Sequence, residues 1–202
     1  LSLPKMIYAH GHVSSNGQKM SKSLGNVIDP IEVIKAHGLD AFRYYFARHI
    51  SSYDDGDFSP QKYTSVYNGE LANELGNAVS RVAAMIVKYQ EGVIGNIPPA
   101  EHDMRQYHEA IAVCRFDKAL EEVWEQVRGL NQYIEEEKPW TIAKEGDTEQ
   151  LQQVLAYMAS SLVQIAQLLQ PFLPDTSAKI LAVFQEGIVR PLAAPLFPKT
   201  EE

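Results

Sequence analysis

Two lysines three residues apart, Lys19 and Lys22, stand in the stretch GHVSSNGQKMSKSLGNVIDP that begins at Gly11, among serines and between Gly17 and Gly25. Two ammonium groups on a glycine-flanked polar loop, with the Ser21 and Ser23 hydroxyls beside them, suit a polyphosphate whose charge moves during reaction. Lysine is a compact charge on a flexible stem and can follow a moving group, whereas arginine locks into one bidentate geometry. For an arbitrary K-x-x-K the ordinary reading is a solvated basic loop. Further along, Asn77 and Arg81 are four apart and on a helix share one face. An amide that both donates and accepts, beside a planar guanidinium fork, can grip the edge of a base, although spacing alone favours an ordinary polar stripe. Trp140, after Pro139, stands at a break between helical patterns, placed equally well to plug a core or to form a stacking platform.

Other candidate groups carry less. His10 and His12 share a face if the segment is a strand, but no Cys, Asp or Glu nearby in sequence completes a metal site, so a nucleotide-pocket or structural role is expected. Asp54-Asp55-Gly56-Asp57 lacks the glutamate that a calcium loop places at its twelfth position and reads as a capped turn. Glu135, Glu136 and Glu137 read as a solvated helix end. No metal site is expected.

These residues need elements to hold them. The segment Lys5–Val13 followed by Ser14-Ser15-Asn16-Gly17 suggests a hairpin-like β element leading into the lysine loop. Asp29-Pro30 is a helix start and Gly38 a stop. A second short helix spans Asp40–Ile50, with Ala41, Tyr44, Tyr45 and Ala47 interleaved with Arg43 and Arg48. SSYDDGDFSP is a loop. From Ser59-Pro60 the pattern is helical to about Tyr89, with Leu71, Leu75, Ala78, Val82, Met85 and Ile86 at spacings of three and four. Roughly 30 residues make a rod of about 45 Å. Helical patterns return at 101–113, 115–137, 148–170 and 175–186, separated by KPW, EGDT, Pro171 and Pro174. Everything after residue 60 reads as an up-and-down helix bundle. Tyr44, Tyr45 and Phe46 are expected to pack the second short helix onto that bundle, leaving Arg43 or Arg48 to face phosphate.

The 202 residues suffice for a core, and 45% hydrophobic with 22% charged residues fit a globular chain. No apolar run reaches the roughly 18 residues of a membrane span, and LSLPKMIYAHGHV is no signal peptide. The chain is expected to begin mid-domain. A single cysteine, Cys114, excludes an internal disulfide and a multi-cysteine zinc site. The net charge of −8 argues against a broad nucleic-acid surface. Residues 1–70 are balanced, so all the acidic excess lies in 71–202, and any RNA contact there must use a local face.

KMSKS is the signature of class I aminoacyl-tRNA synthetases, and GQKMSKSLGNVIDP resembles their methionine, isoleucine, valine, leucine and cysteine group. DGDFSP at 55–60, YNGELANELGNAVSR at 67–81 and EKPWTIAK at 137–144 resemble the methionyl-tRNA synthetase family. The resemblance covers nearly the whole chain. It implies a mainly α fold, an anticodon-binding helix bundle (59–202) preceded by a short β/α remnant of a Rossmann-type catalytic domain with its stem-contact segment (1–58). It implies that Lys19 and above all Lys22 hold the ATP phosphates and stabilise the transition state as the methionine carboxylate attacks the α-phosphorus. Met20, Ser21, Ser23, His10 and Gly11 complete the implied ATP-binding set. Asn77, Arg81 and Trp140 match the family's readers of the CAU anticodon of tRNA(Met), chiefly of its first base, by stacking and edge contacts. The parent enzyme would use ATP with Mg2+ to form methionyl-adenylate and then charge tRNA in the cytoplasm. The family's HIGH signature is absent, so the isolated chain is expected to be inactive and to bind no cofactor tightly. The alternatives are another class I synthetase, disfavoured by KPW together with DGDFS, and a non-catalytic RNA- or protein-docking module, disfavoured by the intact lysine loop.

Overall fold

A computed structural model describes residues 3–4, 6–95, 97, 103–184 and 187–200, and of Lys22 the backbone only. Strands β1 (Val13–Ser15) and β2 (Gln18–Lys19) form a hairpin. Its two turn residues, Asn16 at φ 51° and Gly17 at φ 73°, both take the left-handed conformation that a tight hairpin demands and that Asn-Gly tolerates best. The strand is shorter than expected. Residues 6–12 lie outside any strand, and Lys5 is outside the described residues.

Strand β3 (Gly56–Phe58) adds to β1 in parallel, giving the order β2–β1–β3 with Val13 opposite Gly56 and Ser15 opposite Phe58. A parallel pair needs a crossover. Here α1 (Pro30–His37) and α2 (Leu39–His49) supply it. Asp29 caps α1 by accepting from the Ile31 N–H at 2.8 Å, and Gly38, at φ 87°, turns the chain into α2. Ser59 caps the next helix through the Lys62 N–H at 3.2 Å.

The long rod is there, but it is not α-helical throughout. It runs as α3 (Pro60–Val66), a π-helical segment (Tyr67–Gly76) and α4 (Asn77–Gln90). The Asn77 N–H reaches back to the carbonyl of Ala72, a span of five residues. This winding keeps Leu71 and Leu75 in the core while Glu70 meets the side chains of Tyr44, Arg48 and His49. Beyond it come α5 (Arg105–Ala112), α6 (Phe116–Glu137), α7 (Pro139–Glu145), α8 (Thr148–Leu169) and α9 (Pro174–Val183). Residues 101–102 and 185–186 of the expected helices lie outside the described residues. The stretch Pro139–Glu145, which takes in two residues of the KPW separator, forms α7. Pro139 at its start and Gly146, at φ 80°, at its end bracket a helix too short to show a period.

The bundle core centres on Trp124, fully buried with Leu75, Val82, Leu120, Leu155 and Met158. Tyr44 of α2 lies in the same core, its ring 4.4 Å from Trp124. Tyr45 and Phe46 point elsewhere, into a second cluster with Ile50, Phe58 and Tyr63 that backs the sheet. Both arginines of α2 have partners within the chain. Arg43 donates to the carbonyls of Pro171 and Phe172, each at 2.7 Å, satisfying chain groups just past the α8 C-terminus. The Arg48 side chain is 6% exposed, between Glu70 at 3.6 Å and Glu121 at 2.9 Å and over the Trp124 ring at 4.8 Å. Its partners on the π-helical segment and α6 make Arg48 a cross-brace of α2.

Candidate functional site

The lysine loop is held from two sides. Lys19 ends β2 opposite Ser14, with its side chain exposed, and a 3-10 turn at Lys22–Leu24 comes next. The Asn26 side chain spans the loop: its oxygen accepts from the Ser21 N–H at 2.8 Å, and its amide nitrogen donates to the Lys19 carbonyl at 3.2 Å. An amide can do both at once, donating from its nitrogen and accepting at its oxygen. The Ser21 hydroxyl lies 3.2 Å from that of Ser23 and accepts from the Leu24 N–H at 3.3 Å. Sequence reasoning does not single out Asn26, although LGN directly follows KMSKS.

On the other side, Asp57 of β3 grips the hairpin, its Oδ1 accepting from the Ser14 hydroxyl at 2.6 Å and the Gly17 N–H at 2.7 Å. These hydrogen bonds hold its carboxyl below the ordinary aspartate value of 3.8. Because the folded value is depressed, the anchoring is present above 3.8 and lost as pH falls through the lower folded value. The Gly17 amide resonance should therefore titrate with a midpoint below 3.8 and stop titrating in Asp57→Asn. A midpoint at or above the ordinary value would show that Asp57 does not hold the hairpin.

Gly11 and the histidines sit at the base of the same element. A Cβ on Gly11 would lie 2.2 Å from the Asp54 carbonyl oxygen, so only glycine allows this approach. Asp55, distant in sequence, accepts from the His12 N–H at 2.7 Å and lies 3.6 Å from the His12 ring. The aspartate run is thus a latch on β1, and its turn is closed by the Ser51 hydroxyl, which accepts from the Asp54 N–H at 2.9 Å. Lys19 and Met20 share with His12, Val13, Ser14, Gly17 and Asp55 a cleft of about 560 Å3. His10 is exposed outside that lining, its Nδ1 donating to the Gly11 carbonyl at 2.8 Å. The Lys22 side chain lies outside the described atoms. Among the described residues no three His, Cys, Asp or Glu gather as a metal site.

The second candidate site is a corner of the bundle. Asn77, exposed, opens α4, and Arg81 stands one turn later on the same face. Arg81 Nη2 donates to Glu135 Oε1 at 2.6 Å, so Glu135 is not merely solvated. One turn earlier on α6, Asn131 donates to the Glu74 carbonyl at 3.3 Å, which fixes α6 against the π–α4 junction. Lys138, at φ 46°, then breaks the chain into α7, which packs on α4 and α8. Trp140, in the first turn of α7, is half-buried and packs against the bundle core. The structure thus brings Arg81 beside the α6–α7 turn that carries Trp140.

Residues 1–83 match the family model of class I tRNA synthetases of the methionine type, and residues 84–190 match the anticodon-binding domain of methionyl-tRNA ligase. The chain belongs to the methionyl-tRNA synthetase family. It is 38% identical to the methionine–tRNA ligase of Thermotoga maritima over 192 residues, 89% of the chain and 30% of that relative. With the Bacillus subtilis ligase it shares 39% over 193 residues, 89% of the chain and 29% of the relative. The structure of Mycobacterium tuberculosis methionyl-tRNA synthetase in complex with methionyl-adenylate superposes with a TM-score of 0.88 at 28% identity, covering 98% of this chain and 45% of that one. The chain therefore spans about 30% of the length of the curated relatives. The two family models meet inside α4, just after Arg81, so the methionyl-tRNA synthetase match divides the rod that joins the hairpin module to the bundle. No described helix is long and apolar enough to cross a membrane.

Proposed function

We propose that this chain supplies two parts of a methionine–tRNA ligase: the KMSKS phosphate loop, with the end of the catalytic domain and stem-contact segment in residues 1–58, and the anticodon-reading bundle in 59–202. The observation that carries the reading is the continuous rod from Pro60 to Gln90, which starts at the strand gripping the lysine hairpin and ends past Asn77 and Arg81. One element thereby links a phosphate loop to a corner built of an amide, a guanidinium and an indole.

In the parent reaction the methionine carboxylate oxygen attacks the α-phosphorus of ATP, and the bond to the leaving pyrophosphate breaks. Lys19 and Lys22 stabilise the charge that develops on the phosphates, which the magnesium ion accompanies. Asn26 and Asp57 keep the loop's backbone in place while the Lys19 side chain stays exposed. Met20, Ser21 and Ser23 line the nucleotide's path, with His10 and Gly11 at the base of the hairpin. The terminal ribose hydroxyl of tRNA(Met) then takes the methionyl group and AMP leaves. The reaction is assigned to the cytoplasm, where the tRNA is charged. At the other end Trp140 stacks on the first base of the CAU loop, while Asn77 and Arg81 bond its edge. Stacking and edge contacts need few basic residues, which reconciles RNA binding with a net charge of −8.

Trp140→Ala should weaken binding of the CAU anticodon stem-loop about tenfold to a hundredfold, the range for loss of one base–aromatic stack. Fluorescence anisotropy of a labelled stem-loop measures it. An unchanged dissociation constant would remove Trp140 from the site.

A further inference from the structure

Resting on the reading of the hairpin as the phosphate loop, we propose that His12 is a further nucleotide-binding residue, its ring donating to a phosphate oxygen of ATP beside Lys19 while Asp55 orients it. The two faces of the small sheet differ. Val13 packs against the cluster that backs the sheet and Ser15 is buried, so these two positions of β1 face inward. The Gly56 N–H donates to the His12 carbonyl at 2.8 Å, which carries the ladder one residue past the strand end and puts His12 on the outer face with Ser14. Lys19 stands opposite Ser14 and therefore points the same way. His12 and Lys19 accordingly line one cleft, together with Asp55. His10 lies outside that lining, with Nδ1 turned to the Gly11 carbonyl, so His12 is the histidine that shares the cleft with Lys19.

The carboxylates on this face are already engaged by the chain. Asp57 accepts from the Ser14 hydroxyl and the Gly17 N–H. Asp55 Oδ1 accepts from the His12 N–H at 2.7 Å and lies 3.6 Å from Nδ1 of the same residue, so one oxygen addresses both the backbone and the ring. The His12 side chain is 95% exposed and that of Asp55 is 77% exposed, which leaves the rest of the ring open to a ligand. A protonated imidazole donates from both nitrogens. With Nδ1 toward Asp55, Nε2 on the far side of the ring is left for an anion in the cleft. A triphosphate spreads several negative charges over its length, and a cation fixed on the strand complements the lysines of the loop. The carboxylate thus positions the ring, and the ring meets the phosphate.

The test is methionine-dependent pyrophosphate exchange by a full-length methionyl-tRNA synthetase carrying this segment. His12→Ala should raise the KM for ATP about tenfold, the scale of one charge-assisted hydrogen bond, with kcat within about threefold and the KM for methionine unchanged. Asp55→Asn, which keeps an oxygen for the His12 N–H, should raise the KM for ATP less. Added to His12→Ala it should cost nothing more, since a positioning residue acts only through the ring it positions. Thermal midpoints of the variants establish that the fold is intact. Additive losses would overturn the orienting role of Asp55. If His12→Ala keeps the natural KM for ATP, or lowers kcat alone, while Lys19→Ala slows the exchange, the role of His12 is overturned and the phosphate loop stands. If Lys19→Ala also leaves the rate near the parent's, the reading of the loop fails and the role of His12 with it.

Discussion

Replacing Arg48 with alanine is expected to destabilise the chain by about 3 kcal/mol, the scale for breaking a buried ion pair on one side only. The guanidinium is 6% exposed and is placed between the Glu70 and Glu121 carboxylates, over Trp124 and bonded to the Tyr44 hydroxyl at 2.8 Å. Glu121, 40% exposed, is screened by solvent and contributes little to the loss. Glu70, 23% exposed, would keep its charge against the core with only His49 and the Tyr44 hydroxyl for support. Burial pushes the Glu70 carboxyl up, but hydrogen bonds from His49 and Tyr44 and the Arg48 charge outweigh it and hold the value below the ordinary 4.5. The network therefore stabilises above 4.5 and fails as pH falls through the depressed folded value, and Arg48→Ala should flatten that acid limb. Denaturant unfolding at neutral pH and between about pH 5 and 3 measures both effects. Pairing Arg48→Ala with Glu70→Gln should recover part of the loss, since the double variant buries no lone charge. A cost under about 1 kcal/mol would place Arg48 among ordinary surface ion pairs and refute its bracing role.

Lys19→Ala, made in a full-length methionyl-tRNA synthetase carrying this segment, should slow methionine-dependent pyrophosphate exchange by about 10²- to 10³-fold, as removal of one preorganised transition-state contact does elsewhere. The loss should fall on kcat more than on the KM for methionine, because the lysine meets a charge that grows only as the α-phosphorus is attacked. Lys19→Arg should restore little, since a rigid fork cannot follow the departing pyrophosphate as an ammonium does. The fold should be unaffected: what the structure anchors is the Lys19 backbone, through Ser14 across the strand and Asn26 across the loop, and the side chain is exposed. A rate within about fivefold of the parent's would leave the lysine loop without its assigned role.

Local chemistry made much of this legible from sequence. The Ser14–Gly17 cluster marks the hairpin, although Ser14 and Ser15 belong to β1 and only Asn16 and Gly17 make the turn; Asp29-Pro30 and Ser59-Pro60 mark helix starts, and the apolar spacing marks the rod, because each signal acts within a turn or two of chain. What stayed hidden depends on residues far apart. Asp57 reaches Gly17 across 40 positions, and Arg81 reaches Glu135 across 54, contacts that exist only once β1 meets β3 and α4 meets α6. Arg48 reads as a surface residue in an amphipathic helix, and only its three-sided enclosure by Glu70, Glu121 and Trp124 makes it internal. The π winding at Tyr67–Gly76 hid because Leu71 and Leu75, four apart, satisfy an α pattern equally well. Trp140, half-buried against the core, kept both of its readings.

The most direct test is a titration of the chain with the CAU anticodon stem-loop beside one in which only the first anticodon base is changed to G. Binding of CAU at least about tenfold tighter, with both loops bound more weakly in Trp140→Ala, is the result expected of a bundle that reads the base edge and stacks the base on Trp140. Equal binding of the two loops by the natural chain would contradict the account, leaving a synthetase lysine loop joined to a bundle that does not read methionine's anticodon.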